Sequence, residues 1–204
     1  MIKVIYSDKH LAVVIKPSGM ISEDGKNSVP SLIREALGKP NSYVGIVHRL
    51  DKGVGGLMVY SLDPAVTGKL TEAINAENAG TEYLALLCGI PNEKEDTLTD
   101  LLYHDRMKNK TYVVKRKRNG VKEAKLSYRV LSEKDGKALI SVRLFTGRTH
   151  QIRAQFSSRG LSLLGDVRYG GGKGEICLYS YKLSFVHPIT KKEMTFESEA
   201  PFEL

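Results

Sequence analysis

Arg49 and Asp51 stand two positions apart between apolar stretches, and Gly53, Gly55 and Gly56 follow them. A carboxylate between β-type segments, beside glycines that let a ligand approach the backbone, is a candidate nucleophile. Taken alone, an arginine and an aspartate at this spacing more often form a local salt bridge. A second polar group, Arg148, Thr149, His150, Gln151 and Arg153, opens a helix-like stretch after an apolar run. On its own it reads as surface charge with capping. Each cluster gains meaning only if other segments of the chain position it.

Several chemistries are excluded by what is missing. The sequence has no GxSxG elbow and no GxxxxGK[ST] loop. The run Gly170-Gly171-Gly172-Lys173-Gly174 lacks the following Ser or Thr and reads as a flexible surface loop. The histidines His10, His48, His104, His150 and His187 show no paired metal spacing, so neither a metal nor a nucleotide cofactor is expected. His48-Arg49-Leu50-Asp51 has the letters of a kinase catalytic loop, but no strand lysine or Asp-Phe-Gly accompanies it.

The net charge of +8 is concentrated in one place. Residues 106–125, RMKNKTYVVKRKRNGVKEAK, hold nine cations against the single anion Glu123, a surplus equal to that of the whole chain. Such a field attracts polyanions. Lys115, Arg116, Lys117 and Arg118 form its densest run and are candidate phosphate contacts, for which RNA, DNA or an anionic membrane would serve; the bland alternative is a solvated basic hairpin. No amphipathic helix accompanies the charge, and no stretch reaches the roughly 18 apolar residues that span a bilayer, so no membrane partner is expected. Cys88 and Cys177 lie in apolar strand-like sequence and read as buried free thiols in a reducing compartment, which makes the cytoplasm the default.

The elements that must position these residues are short. Val4–Tyr6 and Leu11–Ile15 read as strands, and Pro17-Ser18-Gly19 stops the second. Asn27-Ser28, Pro30 and Gly38 bracket a short helix, and Asp63-Pro64 starts a second that buries Val66, Leu70 and Ile74. Strands are expected at Tyr43–Val47, Leu57–Tyr60, Tyr83–Leu87, Leu139–Phe145, Leu178–Val186 and Met194–Glu197. Tyr112–Lys115 and Leu126–Leu131 flank Asn119-Gly120 and read as a hairpin. Ile152 and Phe156 mark a helix ending at Gly160. Strands outnumber helices and are joined too closely for βαβ crossovers, so the expected class is α+β, one domain over residues 1–204, with a mixed, largely antiparallel sheet and a few flanking helices. A monomer is the default.

In order along nearly the whole chain, the stretches LAVVIKPSGM (11–20), VHRLDKGVGGLMV (47–59), YLALLCG (83–89), GRTHQIR (147–153) and LGDVRYG (164–170) resemble the RluA-type pseudouridine synthases. The closing segment 178–188, with Leu183-Ser184-Phe185 and His187-Pro188, is similar as well. Three departures stand out. Val54 and Gly55 occupy positions where the family has Thr and Ser, Tyr179 replaces a usual histidine, and Met1 lies directly before the catalytic fold, so an S4-type RNA-binding domain is expected to be missing.

The resemblance implies an isomerase that converts uridine to pseudouridine in structured RNA, ribosomal or transfer, with no cofactor. Asp51 would be the catalytic carboxylate, acting on the sugar as nucleophile or base. Tyr83 would stack on the everted base and serve in the late proton transfer, and Arg153 would pair with Asp51. Arg49 would fill the space the base vacates. His48, Arg148, His150 and Gln151 are carried with them as substrate-binding residues. Two rivals remain: a nucleoside-cleaving hydrolase, which would want a second acid, and a non-catalytic RNA binder.

Overall fold

The computed structural model describes residues 2–76 and 79–204. In chain order these form β1 (Lys3–Ser7), β2 (Leu11–Lys16), α1 (Val29–Ala36), β3 (Gly45–Ile46), β4 (Gly55–Ser61), α2 (Pro64–Asn75), β5 (Gly80–Leu87), β6 (Glu95–Asp105), β7 (Lys110–Val114), β8 (Val121–Lys134), β9 (Lys137–Leu144), α3 (Gln151–Ser157), β10 (Leu178–Val186) and β11 (Glu193–Glu197), with a 3-10 turn at Val167–Tyr169. The chain divides into two compact units, Met1–Thr81 with Tyr179–Ala200, and Glu82–Leu178 with Pro201–Leu204.

In the first unit, β2 and β4 are nearly continuous apolar runs buried on both faces, as inner strands must be. They pair antiparallel from Leu11↔Ser61 to Lys16↔Gly56. β1 flanks β2, and β10 meets the start of β4 in parallel at Tyr179↔Gly55 and Ser180↔Gly56. Gly56 has a φ of +120°, and a Cβ there would lie 2.3 Å from the Ser180 carbonyl oxygen, so only glycine permits this approach. Ser28 caps α1 with a reciprocal bond to Ser31, and the Asp63 carboxylate caps α2 at Ala65 N–H. Val66 and Leu70 of α2 pack with Val13, Leu57, Val59 and Leu183 into one core.

In the second unit the antiparallel order is β5-β9-β8-β6-β7. One face carries Leu102 and Ala124, over which Ala154 of α3 and Tyr169 pack, and Phe156 of α3 meets Tyr128 with ring centroids 5.3 Å apart. The class is α+β with a mixed, largely antiparallel sheet, as expected.

Two expectations are corrected. β7 and β8 do not pair as a hairpin, because β6, unforeseen in the acidic stretch EDTLTDLLYHD, lies between them and bonds to both. Asn119-Gly120 does turn the chain, with Gly120 at φ +80° and Val121 N–H donating to Arg118 C=O, but the turn feeds a strand beyond β6. Cys88 is exposed, since it lies just past the end of β5, and Cys177 is half-buried; both are free thiols. Within the Gly170–Gly174 run, Gly172, Lys173 and Gly174 are exposed loop, whereas a Cβ at Gly171 would stand 1.7 Å from the Leu163 carbonyl oxygen, so backbone packs on backbone at that one position.

Candidate active site

Asp51 lies on a turn closed by the Val54 N–H donating to its carbonyl at 2.9 Å. That turn is stitched to residues 16–22. The fully buried Lys16 sends its Nζ to the carbonyls of Pro17 (3.1 Å), Lys52 (3.1 Å) and Val54 (2.6 Å). Gly19 N–H donates to Lys52 C=O, Ser18 Oγ to Gly53 C=O, and Ser22 Oγ exchanges bonds with Leu50 C=O and N–H. The Lys-Pro-x-Gly segment is therefore the scaffold that fixes the Asp51 backbone. Burial brings the Lys16 ammonium down to about 8, and the charge of Asp51 opposes that fall.

The neighbours of Asp51 divide. Arg49 is exposed and pairs with Glu23. A surface pair of this kind is worth little and can be exchanged for another anion. His48 is turned inward: its Nε2 accepts the Val59 N–H at 3.0 Å, and burial holds the imidazole at about 4, so the ring is neutral. Its observed partner is protein backbone.

The second cluster is assembled in the second unit. Gln151 is buried, and its Oε1 accepts from Arg148 N–H (3.0 Å) and Thr146 Oγ1 (2.8 Å) while its Nε2 donates to Lys125 C=O (3.1 Å). Arg148 Nε donates to Glu123 C=O. His150, at φ +53°, holds a left-handed conformation that is costly for a non-glycine residue. Its Nδ1 lies 3.0 Å from the Tyr169 hydroxyl, which accepts the Thr111 N–H at 2.7 Å. Arg153 is clamped by the buried Asp166 through Nε–Oδ2 (2.7 Å) and Nη2–Oδ1 (2.8 Å), and its Cζ stands 4.9 Å over the Tyr169 ring. This fork geometry fixes the guanidinium plane. Tyr83 is buried on β5 opposite Val142 of β9, on the sheet face that Tyr128 shares.

Lys16 and Asp166 were not singled out from the sequence. Each lies in a stretch that was noticed, 11–20 and 164–170, but its partners lie elsewhere in the chain. Tyr169 and Thr111 were missed for the same reason. Among the described residues no group of three or more His, Cys, Asp or Glu is placed to hold a metal, and no helix is long and apolar enough to cross a membrane.

A family model described as RNA pseudouridylate synthase matches residues 10–158. Ribosomal large subunit pseudouridine synthase D of Zymomonas mobilis is 32% identical over 100% of this chain and 70% of its own. The dual-specificity RNA pseudouridine synthase RluA of Haemophilus influenzae is 28% identical over 98% of this chain and 93% of its own. Among solved structures, human RNA pseudouridylate synthase domain containing 1 superposes with a TM-score of 0.82 at 20% identity, covering 100% of this chain and 85% of that one, a likeness of fold. The chain belongs to the RNA pseudouridylate synthase family, isomerases that turn uridine in RNA into pseudouridine.

Proposed function

We propose that this enzyme modifies uridine in structured ribosomal or transfer RNA, with Asp51 as the carboxylate that acts on the sugar. In this isomerisation the C1′–N1 bond breaks, the uracil turns, C1′ bonds to C5, and the C5 proton is lost while N1 regains one. Nothing is oxidised or consumed, so one well-placed carboxylate suits the chemistry. The observation that carries the assignment is the Asp51 turn, which the buried Lys16 fixes through three carbonyls, two of them at positions 52 and 54.

A base inside a helical stack is out of reach, so the target is everted before it reacts. Arg49, exposed and paired with Glu23, fills the gap left in the RNA. Tyr83 stacks on the everted uracil and takes part in removing the C5 proton. Arg153, held in plane by Asp166, supplies the fixed guanidinium of the site. A ribosomal substrate is in keeping with the name of the Zymomonas mobilis relative, and the exposed cations Lys115, Arg116, Lys117 and Arg118 suit phosphate contacts with either RNA. The chain acts as a monomer in the cytoplasm on this reading.

Incubating the enzyme with a uridine-containing RNA stem-loop and digesting it to nucleosides tests the reaction. Pseudouridine of unchanged mass is expected; released free uracil would make the protein a nucleoside-cleaving hydrolase instead.

A further inference from the structure

The sheet of the second unit has two unlike faces. Leu102, Ala124 and Tyr128 point toward α3 and are buried. The opposite face carries three aromatic rings, each with a cation over it. Tyr103 of β6 lies directly across from Tyr112 of β7 and from Val121 of β8. Arg118 Cζ stands 4.9 Å from the Tyr103 ring centroid, and Lys110, on the sheet edge, has its Nζ between two rings, 5.7 Å from that of Tyr112 and 5.1 Å from that of Tyr169. Phe145 follows β9 beside Lys125, with Lys125 Nζ at 5.3 Å and Arg143 Cζ at 5.8 Å from its ring. Tyr112 is 37% exposed and Phe145 50%, high for aromatic rings.

Protecting a sheet edge from other strands calls for charge, which Lys110 and Lys115 supply; it gives no reason to expose rings. Rings interleaved with cations on an open sheet are the arrangement that grips single-stranded nucleic acid, bases lying on the rings and phosphates on the cations. From strand spacings, Tyr103 and Phe145 are about 16 Å apart, a span of several nucleotides. The Lys115–Arg118 loop, exposed throughout, borders the Tyr103 end.

We propose that Tyr103, Tyr112 and Phe145 form a stacking platform for a single-stranded stretch of the RNA substrate, on the sheet face opposite the one that Tyr83 shares with Val142 and Tyr128. This rests on the chain being an RNA pseudouridine synthase and adds a second RNA contact to it. The platform would favour targets in which an unpaired segment lies beyond the modified hairpin.

The chain has no tryptophan, so Phe145→Trp introduces a single reporter at the platform. Its fluorescence is expected to fall when a single-stranded oligouridylate of about ten nucleotides binds, because bases stack on it. Phe145→Leu and Tyr103→Leu, measured by fluorescence anisotropy on the full chain, are each expected to weaken binding about tenfold. Both should leave the salt dependence unchanged, and turnover of a minimal stem-loop with no unpaired tail should stay as in the parent. Unchanged Trp emission at saturation together with parental affinity of both leucine variants would overturn the platform. A concentration-dependent dimer lost in those variants, with RNA binding intact, would also overturn it, since the face would then hold a second copy. A parent enzyme that makes no pseudouridine in any RNA contradicts the synthase reading itself, which the turnover assay reports separately.

Discussion

The Tyr179 ring lies where a side chain on Gly55 would have to go: a Cβ at Gly55 would stand 3.3 Å and 3.4 Å from two Tyr179 ring carbons and 3.2 Å from the Lys16 carbonyl oxygen. The two residues are register partners across the parallel β4–β10 pair. The positions where the resemblance expects a serine and a histidine, here Gly55 and Tyr179, therefore share one packing space. The Tyr179 hydroxyl, 2.6 Å from Ser198 Oγ, anchors the ring in that place.

Gly55→Ser is expected to destabilise the protein by about 1–2 kcal/mol through overpacking. Adding Tyr179→His should return much of that loss, giving a coupling of about 1 kcal/mol between the sites. Thermal or urea unfolding of both single variants and the double variant measures it. Strict additivity would mean that the two positions do not share space.

Lys16→Met removes the donor to three carbonyls while nearly filling the volume, leaving those carbonyls short of a partner beneath the Asp51 turn. Turnover of a stem-loop RNA is expected to fall by at least about tenfold. RNA affinity should stay within about twofold, because a fully buried group touches no phosphate. Steady-state kinetics beside a binding titration separate the two, and equal losses in both would assign Lys16 to RNA binding.

His48 gives the fold a pH dependence on the acid side. Its folded-state value of about 4 lies below the 6.5 of an unperturbed imidazole, because burial disfavours the cation. Between those values the unfolded chain binds the proton and the folded chain does not. The stability this neutral ring contributes is complete above pH 6.5 and is lost as pH falls toward 4, by up to about 3 kcal/mol. His48→Gln should flatten the denaturation midpoint across that window. An unchanged acid limb would show that His48 titrates normally.

Asp166→Asn breaks the bidentate clamp on Arg153 inside a buried site. It is expected to cost about 3 kcal/mol of stability and, at a temperature where the variant stays folded, to depress turnover far more than RNA affinity. Arg153→Ala should show the same kinetic split. If Arg153→Ala lost affinity as much as turnover, its guanidinium would be a phosphate contact.

Helix starts were legible because capping is local: Ser28 and Asp63 lie beside the turns they serve. β10 was legible from its alternation, with Tyr179, Tyr181, Leu183 and Phe185 set against Ser180, Lys182 and Ser184. β6 was not, since Asp100 interrupts its alternation, and its carboxylate is accepted in the fold only because Arg159 and Gln155 of another segment bind it. The hairpin reading of 106–125 failed with it: a turn signal tells that the chain reverses, not which strand it returns to. At the site, the carboxylate and the arginine were readable from their motifs. Lys16 and Asp166 were not, because a lysine after an apolar strand and an aspartate in a glycine-rich stretch look ordinary until residues 36 positions and 13 positions away meet them.

The role of Asp51 is tested most directly by mapping pseudouridine in total RNA from cells lacking this gene and complemented with either the parent chain or Asp51→Ala. The parent should restore one or more lost pseudouridines, and the alanine variant, expressed to the same level and binding RNA normally, should restore none. Restoration by the alanine variant would remove Asp51 from the chemistry.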